Sequence, residues 1–187
     1  MLVLDIETTG LDRDKDNVTC VCFKAAGWTL VWPNPERGHW ATAAQMMELL
    51  DEADRIGGYN IVSFDIPFLA TFFGFTDEQV GRWIRKSLDP LFCARALLGF
   101  DCCPKLSTVL ELNGAPPKSG TGADALALAR EERWDELASY CMQDVASTYE
   151  LLMRERIEWT GGLEFRGSGF QSKERASKPR RARFGAV

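Results

Sequence analysis

The chain opens on a short apolar run, Leu2 to Thr8, ended by the turn residues Thr9, Gly10, Leu11 and Asp12, and reads as a β-strand. Two further β-rich runs, 17–26 and 28–33, flank Gly27 and predict a hairpin. Over 42–56 the apolar positions change to a helical period, with Ala43, Met46, Met47, Leu50 and Ala53 on one stripe and Thr42 as N-cap. The stretch 56–75 predicts a short extended segment, a turn and a helix after Asp65, with Pro67 suited to the first helical turn. Residues 87–100 suggest another short strand leading into a helix. Residues 103–114 give a helix closed by Asn113 and Gly114, and 115–122 is a loop. The segment 123–159 is strongly helical, broken near Arg133. Beyond it the periodicity ends and Gly, Ser, Pro and basic residues dominate.

Three strands followed by alternating helices and short strands imply an α/β fold, a mixed central sheet covered by helices. The expected organisation is one domain over 1–160 and a basic, flexible tail over 161–187. With a strand at the very start of the sequence, no upstream domain and no secretory signal are expected, and no apolar run approaches the roughly 18 residues of a membrane helix. The expectation is an intracellular protein, cytoplasmic or nucleoid/nuclear, with no membrane partner.

Charge sharpens the division. The chain carries −5 overall, but from Gly161 onward seven basic residues face only Glu164 and Glu174, so the tail is +5 and the body −10. An acidic body argues against broad phosphate-backbone binding by the fold itself. The tail reads equally as a solubilising end and as a salt-sensitive arm for nucleic acid. The six cysteines, at 20, 22, 93, 102, 103 and 141, fit neither a zinc-knuckle nor a redox spacing, so buried reduced thiols are expected, with a zinc site as the alternative.

The candidate chemistry lies in acidic residues set among apolar ones. Asp5 and Glu7 are two apart on a strand and so share a face, where like charges repel. Either the strand is a solvent-facing edge that tolerates them, or a cation sits between them. Asp65 stands near a helix N-terminus, and Asp144 lies on a helix four residues after Tyr140, on the same face. Singly, each has an ordinary structural explanation. Together, hard oxygen ligands without histidine suit Mg²⁺ or Mn²⁺, and two such ions about 4 Å apart serve phosphodiester cleavage.

"LDIETTGLD", "GYNIVSFDIPFL" and "YCMQD" resemble the three motifs of the DEDD superfamily of 3′–5′ exonucleases. The middle motif is most similar to that of the proofreading exonuclease domain of family B DNA polymerases. The resemblance covers about residues 1–155 in motif order. It implies a ribonuclease H-like fold with the first carboxylate pair on the first strand. The family divides into members with a histidine five residues before the last Asp and members with a tyrosine four before it. Position 139 is Ser139 and Tyr140 precedes Asp144 by four, so the chain resembles the tyrosine (DEDDy) type. The lone histidine, His39, reads as a surface residue.

On this resemblance Asp5, Glu7 and Asp144 hold one metal ion, Asp5 bridges to a second, and Asp65 supports the second through water. Tyr140 orients the attacking water. Thr8, Thr9, Gly10 and Leu11 line the path of the 3′-terminal nucleotide, with Leu11 as a wedge against its base, and Asn60 and Phe64 form the other wall. Leu11 and Phe64 serve equally well as core residues. Lys105, Lys118 and Ser119 are candidates for phosphate contact, against a plain helix connection, and Trp28, Trp32 and Trp40 read as packing rather than base-stacking residues. The implied activity is a stand-alone 3′–5′ exonuclease, dependent on two Mg²⁺ or Mn²⁺ ions, acting on single-stranded or frayed 3′ ends. DNA is favoured over RNA, and a proofreading or repair role needs a polymerase or repair partner, or free ends. The alternatives are an exoribonuclease with the same site and a binding module that has lost activity.

Overall fold

The computed structural model describes residues 1–33, 40–101, 104–118, 120–160 and 163–166. Its centre is a five-stranded mixed sheet. β1 (Leu2–Thr8), β2 (Val18–Ala25) and β3 (Trp28–Pro33) form an antiparallel meander, and β4 (Ile56–Gly57) and β5 (Ser87–Leu88) add in parallel, giving the order β3-β2-β1-β4-β5. Gly27 turns the hairpin at φ 84°, a conformation that costs glycine nothing. β1 is therefore the central strand, and the edge-strand reading of Asp5 and Glu7 does not hold.

Side chains alternate across the sheet and feed two cores. Leu2, Leu4 and Ile6 join Val21 and Phe23 under α1 (Ala43–Glu52), α2 (Asp65–Phe73) and α3 (Asp77–Arg85), with Met46, Leu50, Ile66, Leu69 and Trp83 fully buried. Val3, Cys20 and Cys22 face the other layer. That layer contains α4 (Pro90–Leu98), α5 (Leu106–Leu112), α6 (Gly122–Arg130) and α7 (Trp134–Leu152). The α7 stripe Leu137, Tyr140, Cys141, Val145, Thr148 and Leu152 is buried.

Local chemistry accounts for most boundaries. Thr42 and Gln45 form the capping box of α1. The sequence reading assigns no element to 76–86, yet Thr76 and Gln79 form the same box there and start α3. Trp32 and Trp40 pack edge-on against Phe23 and Phe72, at 5.9 and 6.0 Å between ring centroids. Among the described residues no helix is long and apolar enough to cross a membrane.

The end of the last helix differs from expectation. Helix was expected through Trp159, but α7 stops at Leu152, and β6 (Arg156–Trp159) pairs with β7 (Leu163–Arg166) as a hairpin. The reason is tertiary. Ile157 and Trp159 are buried in alternation, the period of a strand. Asn113 clamps the strand from outside: its Nδ2 donates to the Glu158 carbonyl and its Oδ1 accepts the Glu158 N–H, both at 2.8 Å. Trp159 stacks on Tyr59 with centroids 6.0 Å apart. Asn113→Ala removes both clamp bonds and should cost about 1–3 kcal/mol, with faster amide exchange confined to the hairpin. Unchanged exchange at Ile157 to Trp159 would show that the clamp is dispensable. His39, Cys102, Cys103, Ser119 and the tail outside 163–166 lie beyond the described residues.

Candidate active site

Asp5 and Glu7 project from β1 into the space under α7, one oxygen from each and the Cys141 sulfur lying within 4.8 Å of one another. They are held there by register: Asp5 pairs with Cys22 and Glu7 with Cys20. Immediately after Glu7 the register slips, with Thr8 opposite Val18, so a bulge ends the ladder beside the acids.

Two other elements complete the group. The parallel pairing of β1 with β4 ends at Val3, which leaves the next stretch of that strand edge open. Asp65, at the start of α2, covers it by accepting the Ile6 N–H at 3.1 Å. The preceding turn is pinned by Asp89, whose carboxylate accepts the N–H groups of Asn60 and Val62 at 2.9 and 3.0 Å. From the opposite side α7 brings down Tyr140 and Asp144, four residues apart on its buried face.

The loop before α6 adds a cation to the group. Lys118 Nζ stands 2.8 Å from Asp144 Oδ2 and 5.9 Å from the centre of the Tyr140 ring. The plain-connection reading of this loop is thus incomplete. The signal was a lysine between Pro117 and Gly120 in an otherwise uncharged loop, but only the packing of the loop on α7 gives it meaning.

Electrostatics follows from this crowding. Burial raises the Asp5 pKa to about 7, with Lys118 pulling it down and Asp144 pushing it up. Burial, then the Asp5 charge, holds Glu7 well above the ordinary range. Burial and then Asp5 do the same to Asp65, despite the Ile6 hydrogen bond. Burial and the charges of Asp144 and Glu7 raise the Tyr140 phenol, which therefore stays protonated. Burial alone would lower Lys118, but Asp5, Asp144 and Glu7 together raise it.

Asp144 Oδ1 and the Tyr140 hydroxyl are buried without a hydrogen-bond partner. Buried carboxylates crowded on one ammonium, with acceptors left unpaired and one thiol at the edge, suit a divalent cation held mainly by oxygen. The raised Asp5 pKa contributes stability that is present below its ordinary 3.8 and lost as pH rises through about 7. Melts in EDTA should therefore show the gap in Tm between the protein and Asp5→Asn widening in favour of the variant across that window. A constant gap would contradict it.

The residues expected to face a substrate take separate places. Leu11 is 86% exposed, not a core residue, and lines a cleft of about 480 Å³ with Arg13, Ser63, Phe64 and Phe68. Phe64 is half-buried, its ring 5.2 Å from that of Phe68. Thr8 Oγ1 donates to the Gly10 carbonyl at 2.5 Å, and Thr9 Oγ1 donates to Asp16 and accepts the Asn17 N–H. A Cβ at Gly10 would collide with the Asp16 carboxylate. Asn60, at φ 71°, turns its Oδ1 to Arg95 Nη1 at 2.9 Å. Lys105 is exposed at the start of α5.

Residues 2–109 match the model of the RNase_H superfamily. The chain belongs to that superfamily. The match ends before Lys118, Tyr140 and Asp144, so those positions rest on the structure alone. Among solved structures, this superfamily member is similar to the family B DNA polymerase from the hyperthermophilic archaeon Pyrobaculum calidifontis, with a TM-score of 0.61 and 20% identity over 81% of the chain. It spans 24% of that polymerase's length. It is also similar to a structure described as the apo form of a nuclease, with a TM-score of 0.54 and 19% identity over 80% of this chain and 68% of the other. At such identities the likeness is one of fold, an RNase H-like nuclease fold. No curated protein matches the sequence.

Proposed function

We propose that this superfamily member is a metal-dependent 3′–5′ exonuclease of the DEDDy type, acting on single-stranded or frayed DNA ends. The observation that carries the reading is the meeting of Tyr140 and Asp144 on α7 with Asp5 and Glu7 on β1. Asp5, Glu7, Asp65 and Asp144 hold two divalent cations, Mg²⁺ or Mn²⁺. Bound there, such ions supply a nucleophilic water and stabilise the leaving oxygen.

The chain's own groups do the rest. Tyr140 keeps its proton, so its hydroxyl orients the water by hydrogen bonding rather than by acting as a base. The Lys118 ammonium balances Asp144 and can pass to a substrate phosphate as the carboxylate takes a cation. Exposed Leu11 meets the terminal base, and Phe64 closes the other side of the same cleft. Thr8, Thr9 and Gly10 form a floor whose shape is held by Asp16 and Asn17. Asn60 shapes the wall through its bond to Arg95. The likeness to a family B polymerase supports DNA as substrate and a polymerase or repair factor as partner.

The test is hydrolysis of single-stranded DNA and RNA labelled at either end, with Mg²⁺, Mn²⁺ or EDTA. The 3′ label should leave as a mononucleotide from the first time point, while the 5′ label yields a ladder. Activity in EDTA would overturn the metal chemistry, and release of the 5′ label first would overturn the polarity. Faster loss of RNA than DNA would make the chain an exoribonuclease, and inactivity on every substrate would make it a binding module.

A further inference from the structure

Beside the carboxylates lies a second set of ligand atoms of different chemistry. Cys20 and Cys22 flank Val21 on β2 and so project from one face, the face that α7 covers. Cys141 descends from α7 onto them. One sulfur from each residue lies within 4.8 Å of the other two, and all three residues are fully buried. Buried cysteine on its own is ordinary core. Here three sulfurs from two elements converge, and an acid stands beside one of them: Cys141 Sγ is 3.7 Å from Asp5 Oδ2.

Metal–sulfur bonds of about 2.3 Å in a tetrahedral zinc site place the sulfurs about 3.8 Å apart. The three thiols therefore reach that spacing by closing at most about 1 Å from their limit of 4.8 Å. A closed tetrahedral site needs a fourth ligand beside the three sulfurs, and the carboxylate next to Cys141, that of Asp5, can supply it by moving toward Cys20 and Cys22. Lys118, already facing Asp5, offsets part of the negative charge.

We propose that Cys20, Cys22 and Cys141 bind a thiophilic divalent cation, Zn²⁺ or Cd²⁺, with Asp5 as the oxygen ligand. Each thiol releases its proton to solvent as its metal–sulfur bond forms. Mg²⁺ avoids sulfur, so the two kinds of cation contend for Asp5 alone. A soft cation on the thiols withdraws Asp5 from the carboxylate site and switches off hydrolysis, a consequence that rests on the exonuclease reading.

The test uses the full chain, stripped of metal and kept reduced with a phosphine. Titration with Cd²⁺ should raise a thiolate-to-metal charge-transfer band that saturates at one equivalent. Replacing Cys93, Cys102 and Cys103 together should leave it intact, whereas Cys22→Ala should weaken binding about tenfold or more. Absence of the band, its loss in the triple variant, or its persistence unchanged in Cys22→Ala overturns the site. The triple variant decides even where Cys22→Ala fails to fold. With Mg²⁺ in excess, one equivalent of Zn²⁺ should suppress hydrolysis about tenfold or more, and Cys22→Ala should relieve it. Cd²⁺ binding with no Zn²⁺ inhibition of an active enzyme overturns the sharing of Asp5. A chain inactive on every substrate overturns the exonuclease reading and leaves the Cd²⁺ titration to judge the thiol site.

Discussion

Asp5→Asn should lower Mg²⁺-dependent hydrolysis by about 10³-fold or more while raising the Tm of the metal-free protein above pH 7. The first effect follows from removing a carboxylate that would help hold the cations, an electrostatic contribution of several kcal/mol. The second follows from the raised pKa of Asp5. Its charge is unfavourable in the folded protein, chiefly through burial and partly through Asp144, and the amide removes that charge with little change of shape. A purely structural Asp5 would give the reverse pairing, with activity largely kept and stability lost. The two readouts together, turnover and a melt in EDTA, separate these roles. Saturating Mg²⁺ should also stabilise the unsubstituted protein and have little effect on the variant.

Tyr140→Phe should lower kcat about 10²-fold and leave both KM and the Mg²⁺ dependence nearly unchanged. The substitution keeps the ring that packs under Lys118 and against Gly120, and removes only a buried hydroxyl that lacks a protein partner. Loss of an unpartnered hydroxyl carries little structural penalty, so the melting temperature should hold or rise slightly. An unaltered kcat would remove Tyr140 from the machinery. A lower kcat with a much higher Mg²⁺ requirement would instead make the phenol part of the cation cage.

Local patterns show plainly in the sequence. The apolar run over Leu2 to Thr8 shows a strand, on which Asp5 and Glu7 share one face, and the structure has that strand. The spacing of Tyr140 and Asp144 puts them on one helical face, and α7 carries both on its buried side. Thr42 at a helix start and Gly27 in a hairpin are short-range signals of the same kind. The mixed sheet flanked by helices follows from their order. An ambiguous local pattern leaves the element to tertiary packing. The segment Arg156 to Trp159 has too few residues for its alternation to outweigh the helical run before it, and Asn113, 45 residues away from Glu158, makes it a strand.

The sequence by itself determined which residues could act together, because covalent geometry sets which side chains share a face of a strand or helix. It could not determine what lies opposite each face. That β1 is central, that Asp65 covers its open edge, and that Lys118 reaches Asp144 were decided only in three dimensions. So was the convergence of Cys141 with Cys20 and Cys22, since packing α7 on β2 joins residues more than a hundred positions apart. The physical reason is that backbone dihedrals impose short-range periodicity. Long-range neighbours are chosen by the burial of whole elements, in which no single residue carries the information.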